Sequence, residues 1–364
     1  MNDKFWLEQA ESLLWVSAGK TAPNPAVAAI IVKDNKVLAQ GIHTKAGDAH
    51  AEQQALANCA DPAGATLYVT LEPCNHYGST PACSDLIIKS GIARVIFGCP
   101  DLNPNVAGLG AKKINASGIA CINLSSKYCH SFYQAFFSWA KHKKSVLLLK
   151  IAVDSAMQMA DNSGKPIAIT SKPMNQRVAH WRAFHDAIIT TDTNVLNDNP
   201  RLNARLENST EKKPLIIIAR NDVFELKQNI FQTAKEIYII LPEKTKLKPE
   251  IKTKVTVITF KGEYADWEFI LQTCACLGFH RVWAEVGSKT TKYLLENKIP
   301  DDIIIIRSKR TFPSSCYNIK NAKIAPYPIN QKYQITEDES IQHIGTTDYP
   351  KLIIEKEIQC LPES

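Results

Sequence analysis

Short apolar runs alternate with helix-patterned stretches along this chain, and near residue 145 the series starts again. In the first series, "AVAAIIV" and "KVLAQGI" read as a hairpin around "KDNK". A helix runs from about His50 to Ala60, "TLYVTLEP" is a buried strand, and "ACSDLIIKSG" is a helix ending at Gly91. "ARVIFGC" and "IACINL" are further strands flanking a helix over Ala111 to Ser117, and "KYCHSFYQAFFSWAKHKK" closes the unit as a helix. Strands that alternate with helices in this way need a sheet covered on both faces. At "SVLLLKIAV" a second run begins. "AIITTDT", "LIIIAR", "IYIILP", "VTVITF", "RVWAEVG" and "DDIIIIRS" are strand-like, and "SKPMNQRVAHWRAF" and "ADWEFILQTCACLG" are helical. The pattern predicts two α/β domains, 1–144 and 145–364; after about Pro313 no clear pattern can be read.

A length of 364 residues agrees with two domains. Hydrophobic content of 45% supplies material for both cores. The net charge of +7 is spread along the chain, which favours small anionic ligands and gives no basis for a nucleic-acid or membrane partner. Ten irregularly spaced cysteines in so long a chain suit a reducing compartment, with some of them free to bind metal. The first twenty residues carry Asp3, Glu8 and Glu11 without a continuous apolar run. They read as an amphipathic helix rather than a signal peptide, and a cytoplasmic location is expected.

Chemistry concentrates in "HAEQQALANC" and "LEPCNHYGSTPAC". His50, Cys74 and Cys83 offer one nitrogen and two sulfurs. That is the three-ligand set of a catalytic zinc site with one position left for water. Glu52, two residues after His50, is placed to move a proton from the attacking water to a leaving amine. Zinc deaminases carry H-x-E followed by P-C-x-x-C. Here Pro73-Cys74 fits, but eight residues rather than two separate the cysteines. A structural zinc site would need a fourth protein ligand, for which His76 is available.

With "APNPAVAAIIVKDNKVLAQGIHTKAGDAHAEQQAL", "GATLYVTLEPCNHYGSTPAC" and "CPDLNPNVAGLG" in view, the chain resembles the bifunctional riboflavin-biosynthesis deaminase/reductases, which share the longer cysteine spacing. The resemblance implies a cytidine-deaminase-like three-layer αβα domain followed by a dihydrofolate-reductase-like α/β domain. The implied substrate is 2,5-diamino-6-ribosylamino-4(3H)-pyrimidinone 5′-phosphate. Zn2+ would serve its hydrolytic deamination, and NADPH the later reduction of the ribosyl chain to ribityl. A homo-oligomer is also implied. Carried over by position, His50, Cys74 and Cys83 hold zinc, Glu52 shuttles the proton, and Asn24 and His43 contact substrate, with His76 a further candidate for contact to the substrate phosphate. Ser79 stands where the family usually has a basic residue for the substrate phosphate.

In the second domain there is no G-x-G-x-x-G loop, so the residues alone name no nicotinamide cofactor. The resemblance assigns Arg182, Leu202, Arg205 and Glu285 to substrate and Lys150, Ala152, Asn194, Asp198 and Gly287 to cofactor. The paired arginines would hold the ribose phosphate. Departures weaken the cofactor side, among them "EVGSKT" where the family more usually has Glu-x-Gly-x-Thr. Met157 replaces a glycine in "DSAMQ", Ala168 replaces a tryptophan, and Asn194 replaces a threonine. Other readings stay open: a deaminase whose reductase half has lost or altered its cofactor, a nucleic-acid base deaminase, or a zinc-stabilised scaffold without activity.

Overall fold

The computed structural model describes residues 2–76, 81–103, 107–159, 169–311, 319, 328–336, 338–348 and 350–354. The chain divides into two compact units, Met1–Lys143 and Lys144–Ser364.

The first unit contains α1 (Asp3–Leu13), β1 (Ala28–Lys33), β2 (Lys36–Ile42), α2 (Ala51–Ala57) and β3 (Thr66–Leu71). It continues with α3 (Cys83–Lys89), β4 (Arg94–Cys99), α4 (Leu109–Ala116), β5 (Ala120–Asn123) and α5 (Lys127–His142). Its five strands lie in the order β2-β1-β3-β4-β5. Asp34 and Asn35, with φ of 51° and 57°, turn β1 into β2. Two successive left-handed residues of this kind match the right-handed twist of the strands they join.

Alternation along the strands sorts side chains onto two faces. Ile30, Val32, Tyr68 and Ile96 pack with Trp6, Leu7 and Ala10 of α1. Ala29, Ile31, Leu67, Val69, Val95 and Phe97 pack on the other face with Ala55, Ile87 and Ile114 of α2, α3 and α4. The sheet is therefore the middle of three layers. Cys74 lies in the loop beyond β3, and Cys83 opens α3.

The second unit runs β6 (Val146–Val153), α6 (Lys172–Phe184), β7 (Ala187–Thr191), α7 (Asp192–Asp198), β8 (Ala204–Arg205), β9 (Thr210–Glu211), β10 (Leu215–Ile218) and α8 (Ile230–Thr233). It goes on through β11 (Ile237–Pro242), α9 (Pro249–Lys252), β12 (Thr256–Phe260), α10 (Trp267–Cys276), β13 (Arg281–Ala284), α11 (Ser288–Glu296) and β14 (Asp302–Ser308). Then follow β15 (Ile329–Gln334) and β16 (Glu339–Gly345). The sheet order is β12-β11-β10-β7-β13-β6-β14-β16-β15. The seven strands from β12 to β14 pair in parallel, while β16 and β15 add to that edge antiparallel. β15 and β16 thus fill part of the segment that carried no readable pattern.

At Met157 the chain keeps a left-handed backbone, φ 66°, although the residue is not glycine. The Asp154 carboxylate accepts from the N–H groups of Ala156 and Gln158 at 2.9 and 2.8 Å, which ties the turn together around it. Ala168 and Ser79 lie outside the described residues.

One glycine fixes where the first site can form. A Cβ on Gly41 of β2 would fall 2.0 Å from the Ala51 carbonyl oxygen and 2.5 Å from the Ala55 nitrogen. Backbone, not a mobile side chain, would have to move. Gly41→Ala is expected to lift α2 from the sheet and to lower the stability of the first unit by about 1–3 kcal/mol, the usual cost of overpacking. Denaturant unfolding followed by circular dichroism measures this.

Candidate functional site

His50 and Glu52 enter the first site from the start of α2. Gln53 sets their position: its Oε1 accepts from the His50 N–H at 3.1 Å, and its Nε2 donates to the Pro81 carbonyl at 2.8 Å. One side chain thereby joins the His50 segment to the segment that delivers Cys83. Cys74 is held from two directions. The Cys83 N–H donates to its sulfur at 3.5 Å, and the Ser84 N–H donates to its carbonyl at 3.1 Å. Behind it, the buried Glu72 carboxylate accepts from the N–H groups of Gly108 and Ala111 at 3.2 and 3.0 Å, capping α4. Gly110 makes that approach possible, since a Cβ there would sit 1.7 Å from the Pro73 oxygen.

The result is convergence. Nδ1 of His50 lies 3.5 Å from the Cys74 sulfur and 3.3 Å from the Cys83 sulfur. The three ligand atoms all fall within 4.8 Å of one another. Zinc bonds of about 2.3 Å to sulfur and about 2.0 Å to nitrogen, at a tetrahedral angle, put nitrogen and sulfur about 3.5 Å apart. The donor set therefore fits zinc in both chemistry and spacing. The charges agree. The thiol of Cys83 holds Cys74 as a thiolate, with His50 assisting, and its sulfur drops to about 4. The hydrogen bond to Cys74 and burial push Cys83 far up. Sulfurs this close can both ionise only around a cation.

Glu52 is 4% exposed, and burial lifts its carboxyl to about 7, with the Cys74 sulfur adding to the rise. That suits a group which must both take and give a proton near neutrality. His43, 2% exposed, donates from Nδ1 to the Ala49 carbonyl, 3.2 Å away. Its Nε2 then accepts from Asn24 Nδ2 at 3.2 Å. Burial pushes His43 below the usual imidazole range, which keeps it neutral. The chain of bonds orients Asn24 so that Oδ1 can accept from a ligand.

Asn24, His43, His50, Glu52, Cys74 and His76 all line one cavity of about 350 Å³, with His76 at its exposed rim. Asp101, Asn103, Phe136 and Trp139 share the wall and were not singled out from the sequence. Only the polar run "CPDLNPN" after an apolar strand hinted at the first two.

The second cluster forms at the carboxyl ends of the parallel strands, the usual crevice of an open α/β sheet. Lys150 and Ala152 share the half-buried face of β6. Glu285 follows β13 and is fixed by its backbone: its N–H donates to Ile189 at 2.9 Å, and its carbonyl accepts from Thr190 Oγ1 at 2.9 Å. Its carboxylate pairs with Lys150 at 3.1 Å and with Arg182 Nε at 2.5 Å. Burial alone would raise this carboxyl, but Arg182 and Lys150 overcome it and hold it well below the usual range.

Arg182 also donates to the Asn203 carbonyl at 3.2 Å, and Arg205 donates to the Asn203 side chain at 3.3 Å. Burial, then Arg182 and Arg201, lower Arg205. Lys150, Arg182, Arg201 and Arg205 thus outnumber Glu285, which favours an anionic ligand. Leu202 is buried beside them with a left-handed φ of 46°. Asn194 reaches the Glu285 carbonyl at 3.4 Å, and a Cβ on Gly287 would come within 2.9 Å of its Oδ1. Gly287 precedes α11, whose first turn has no side-chain cap. Such a turn leaves N–H groups for a nucleotide phosphate. Asp198 is exposed at the end of α7, and no hydrogen bond or ion pair joins it to Lys150 or Glu285 among the described residues.

Residues 1–99 match the family model for the cytidine and deoxycytidylate deaminase zinc-binding region, and residues 146–308 match that for the RibD C-terminal domain. The riboflavin biosynthesis protein RibD of Actinobacillus pleuropneumoniae is 34% identical over 308 residues, 82% of this chain and 81% of that protein. The solved structure of Acinetobacter baumannii RibD superposes with a TM-score of 0.83 at 28% identity, covering 95% of this chain and 99% of that one. A diaminohydroxyphosphoribosylaminopyrimidine deaminase/5-amino-6-(5-phosphoribosylamino)uracil reductase from Thermotoga maritima gives 0.83 at 27% identity, over 94% and 98%. No described helix is long and apolar enough to cross a membrane.

Burial raises the Asp101 carboxyl to about 6, with Glu72 adding to the rise against the Asn103 N–H. A raised carboxyl favours the folded state while protonated, and that contribution fades as pH climbs from the unfolded value towards 6. Asp101→Asn is therefore expected to gain stability relative to the parent between pH 4 and pH 7. Calorimetric midpoints across that range test this.

Proposed function

The chain belongs to the RibD family of bifunctional deaminase–reductases of riboflavin biosynthesis, and we propose a role for each cluster in those two reactions. The first unit would bind 2,5-diamino-6-ribosylamino-4(3H)-pyrimidinone 5′-phosphate and deaminate its 2-amino carbon. His50, Cys74 and Cys83 would hold Zn2+; when bound, it supplies a Lewis acid and an acidified water. Glu52 takes the proton of the attacking water and returns it to the departing amine, so that ammonia leaves neutral. Asn24 Oδ1 accepts from the edge of the pyrimidine, and the neutral His43 behind it fixes that orientation. The observation that carries this reading is the convergence of one imidazole and two sulfurs beside a buried carboxylate.

The second unit would reduce the ribosyl chain of the deaminated product to ribityl. Lys150, Ala152, Asn194, Asp198 and Gly287 would hold NADPH, which supplies the hydride when bound. Gly287 and the uncapped start of α11 favour a phosphate of the cofactor. Arg182 and Arg205, with Leu202 packed beside them, would hold the ribose phosphate of the substrate. Glu285 orients Lys150 and Arg182 and balances their charge at the reacting sugar. Retained substrate-side cations support an active reductase over a domain kept for packing alone.

Glu52→Gln should retain one zinc per chain and lose ammonia release by about 10²–10⁴-fold, the range for removal of a positioned acid–base group. Metal analysis and an ammonia assay on the same sample read both. Full activity in that variant contradicts the assignment.

A further inference from the structure

The Glu285 carboxylate receives three donors, and one of them differs in kind. Oε2 takes Lys150 at 3.1 Å, and Oε1 takes Arg182 Nε at 2.5 Å. Oε1 also takes the indole N–H of Trp283 at 2.8 Å. Trp283 lies on β13 and is 0% exposed. Its ring packs 6.0 Å from Trp181 and 5.0 Å from His185, centroid to centroid, so it cannot swing away. Trp181 shows the alternative in the same cluster, because its own buried indole N–H has no partner among the described residues. The polar atom of Trp283, by contrast, is spent on the carboxylate.

Lys150 and Arg182 carry charge, and an anionic cofactor and substrate compete with Glu285 for them. The indole carries none and does not titrate, so it stays with Oε1 whatever the cations do. We propose that Trp283 is a positioning residue for reduction: its N–H keeps the Glu285 carboxylate oriented when Lys150 turns to the cofactor and Arg182 to the substrate. This rests on the reading that the Lys150–Arg182–Glu285 cluster is the reduction site.

The test replaces Trp283 in the full-length chain with β-(3-benzothienyl)alanine, which keeps ring size and shape and puts sulfur in place of N–H. NADPH oxidation in the presence of the deaminated pyrimidine substrate should lose about 10-fold or more in kcat, as expected for losing a hydrogen bond to a charged group. Ammonia release and the unfolding midpoint should match the parent. Trp283→Phe should lose reduction in the same direction. Parental reduction by the isostere overturns the inference, and so does a loss of rate that comes with a lowered unfolding midpoint. Glu285→Gln separates the two levels. Parental reduction in that variant defeats the reduction-site reading itself. Impaired reduction there, beside a fully active isostere, defeats only the role of Trp283.

Discussion

Two sulfurs and an imidazole nitrogen held within 4.8 Å of one another, in a cleft that also buries a carboxylate, are an unstable set of charges without a cation. The first unit is arranged to hold that set together. Gly41 lets α2 sit close on β2, Gln53 ties the start of α2 to Pro81, and Gly110 lets α4 back up Pro73. Each device sets the distance between segments that carry ligands. None contributes a donor atom itself. The three-layer architecture serves the same end, because it brings the starts of α2 and α3 to the loop beyond β3.

The second unit meets the opposite problem. Here a single buried carboxylate is surrounded by cations, and the excess charge is positive. Glu285 pairs with Lys150 and Arg182, while Arg205 and Arg201 leave the region attractive to phosphate. The turn at Met157 keeps the left-handed backbone that glycine would adopt freely, because the Asp154 carboxylate gathers its N–H groups.

Much of this was legible in the residues. Apolar runs located the strands of the two large sheets up to β14, most densely in inner strands such as β1, β3, β6 and β7, where nearly every side chain is buried; the two-residue strands β8 and β9, which pair only with each other, lie in a polar stretch and carry no such signal. His50, Glu52, Cys74 and Cys83 stood out because metal chemistry restricts residue type and spacing. What stayed hidden depends on contacts distant in sequence. Gln53, Glu72 and Asp101 are ordinary polar residues until the fold brings Pro81, α4 and the cavity to them. β15 has the pattern "INQKYQ", whose side chains alternate between half-buried and exposed, so it lacks the apolar run that marks an inner strand. Trp283 resembles a core residue by every local measure, and only its 2.8 Å bond to Glu285 gives it another meaning.

The most direct measurement is X-ray absorption at the zinc edge of the purified full-length chain. The account predicts a first shell of two sulfurs at about 2.3 Å, one nitrogen at about 2.0 Å and one light oxygen ligand. A shell closed by a fourth protein ligand, or a chain that binds no zinc while releasing ammonia from the substrate, would contradict it.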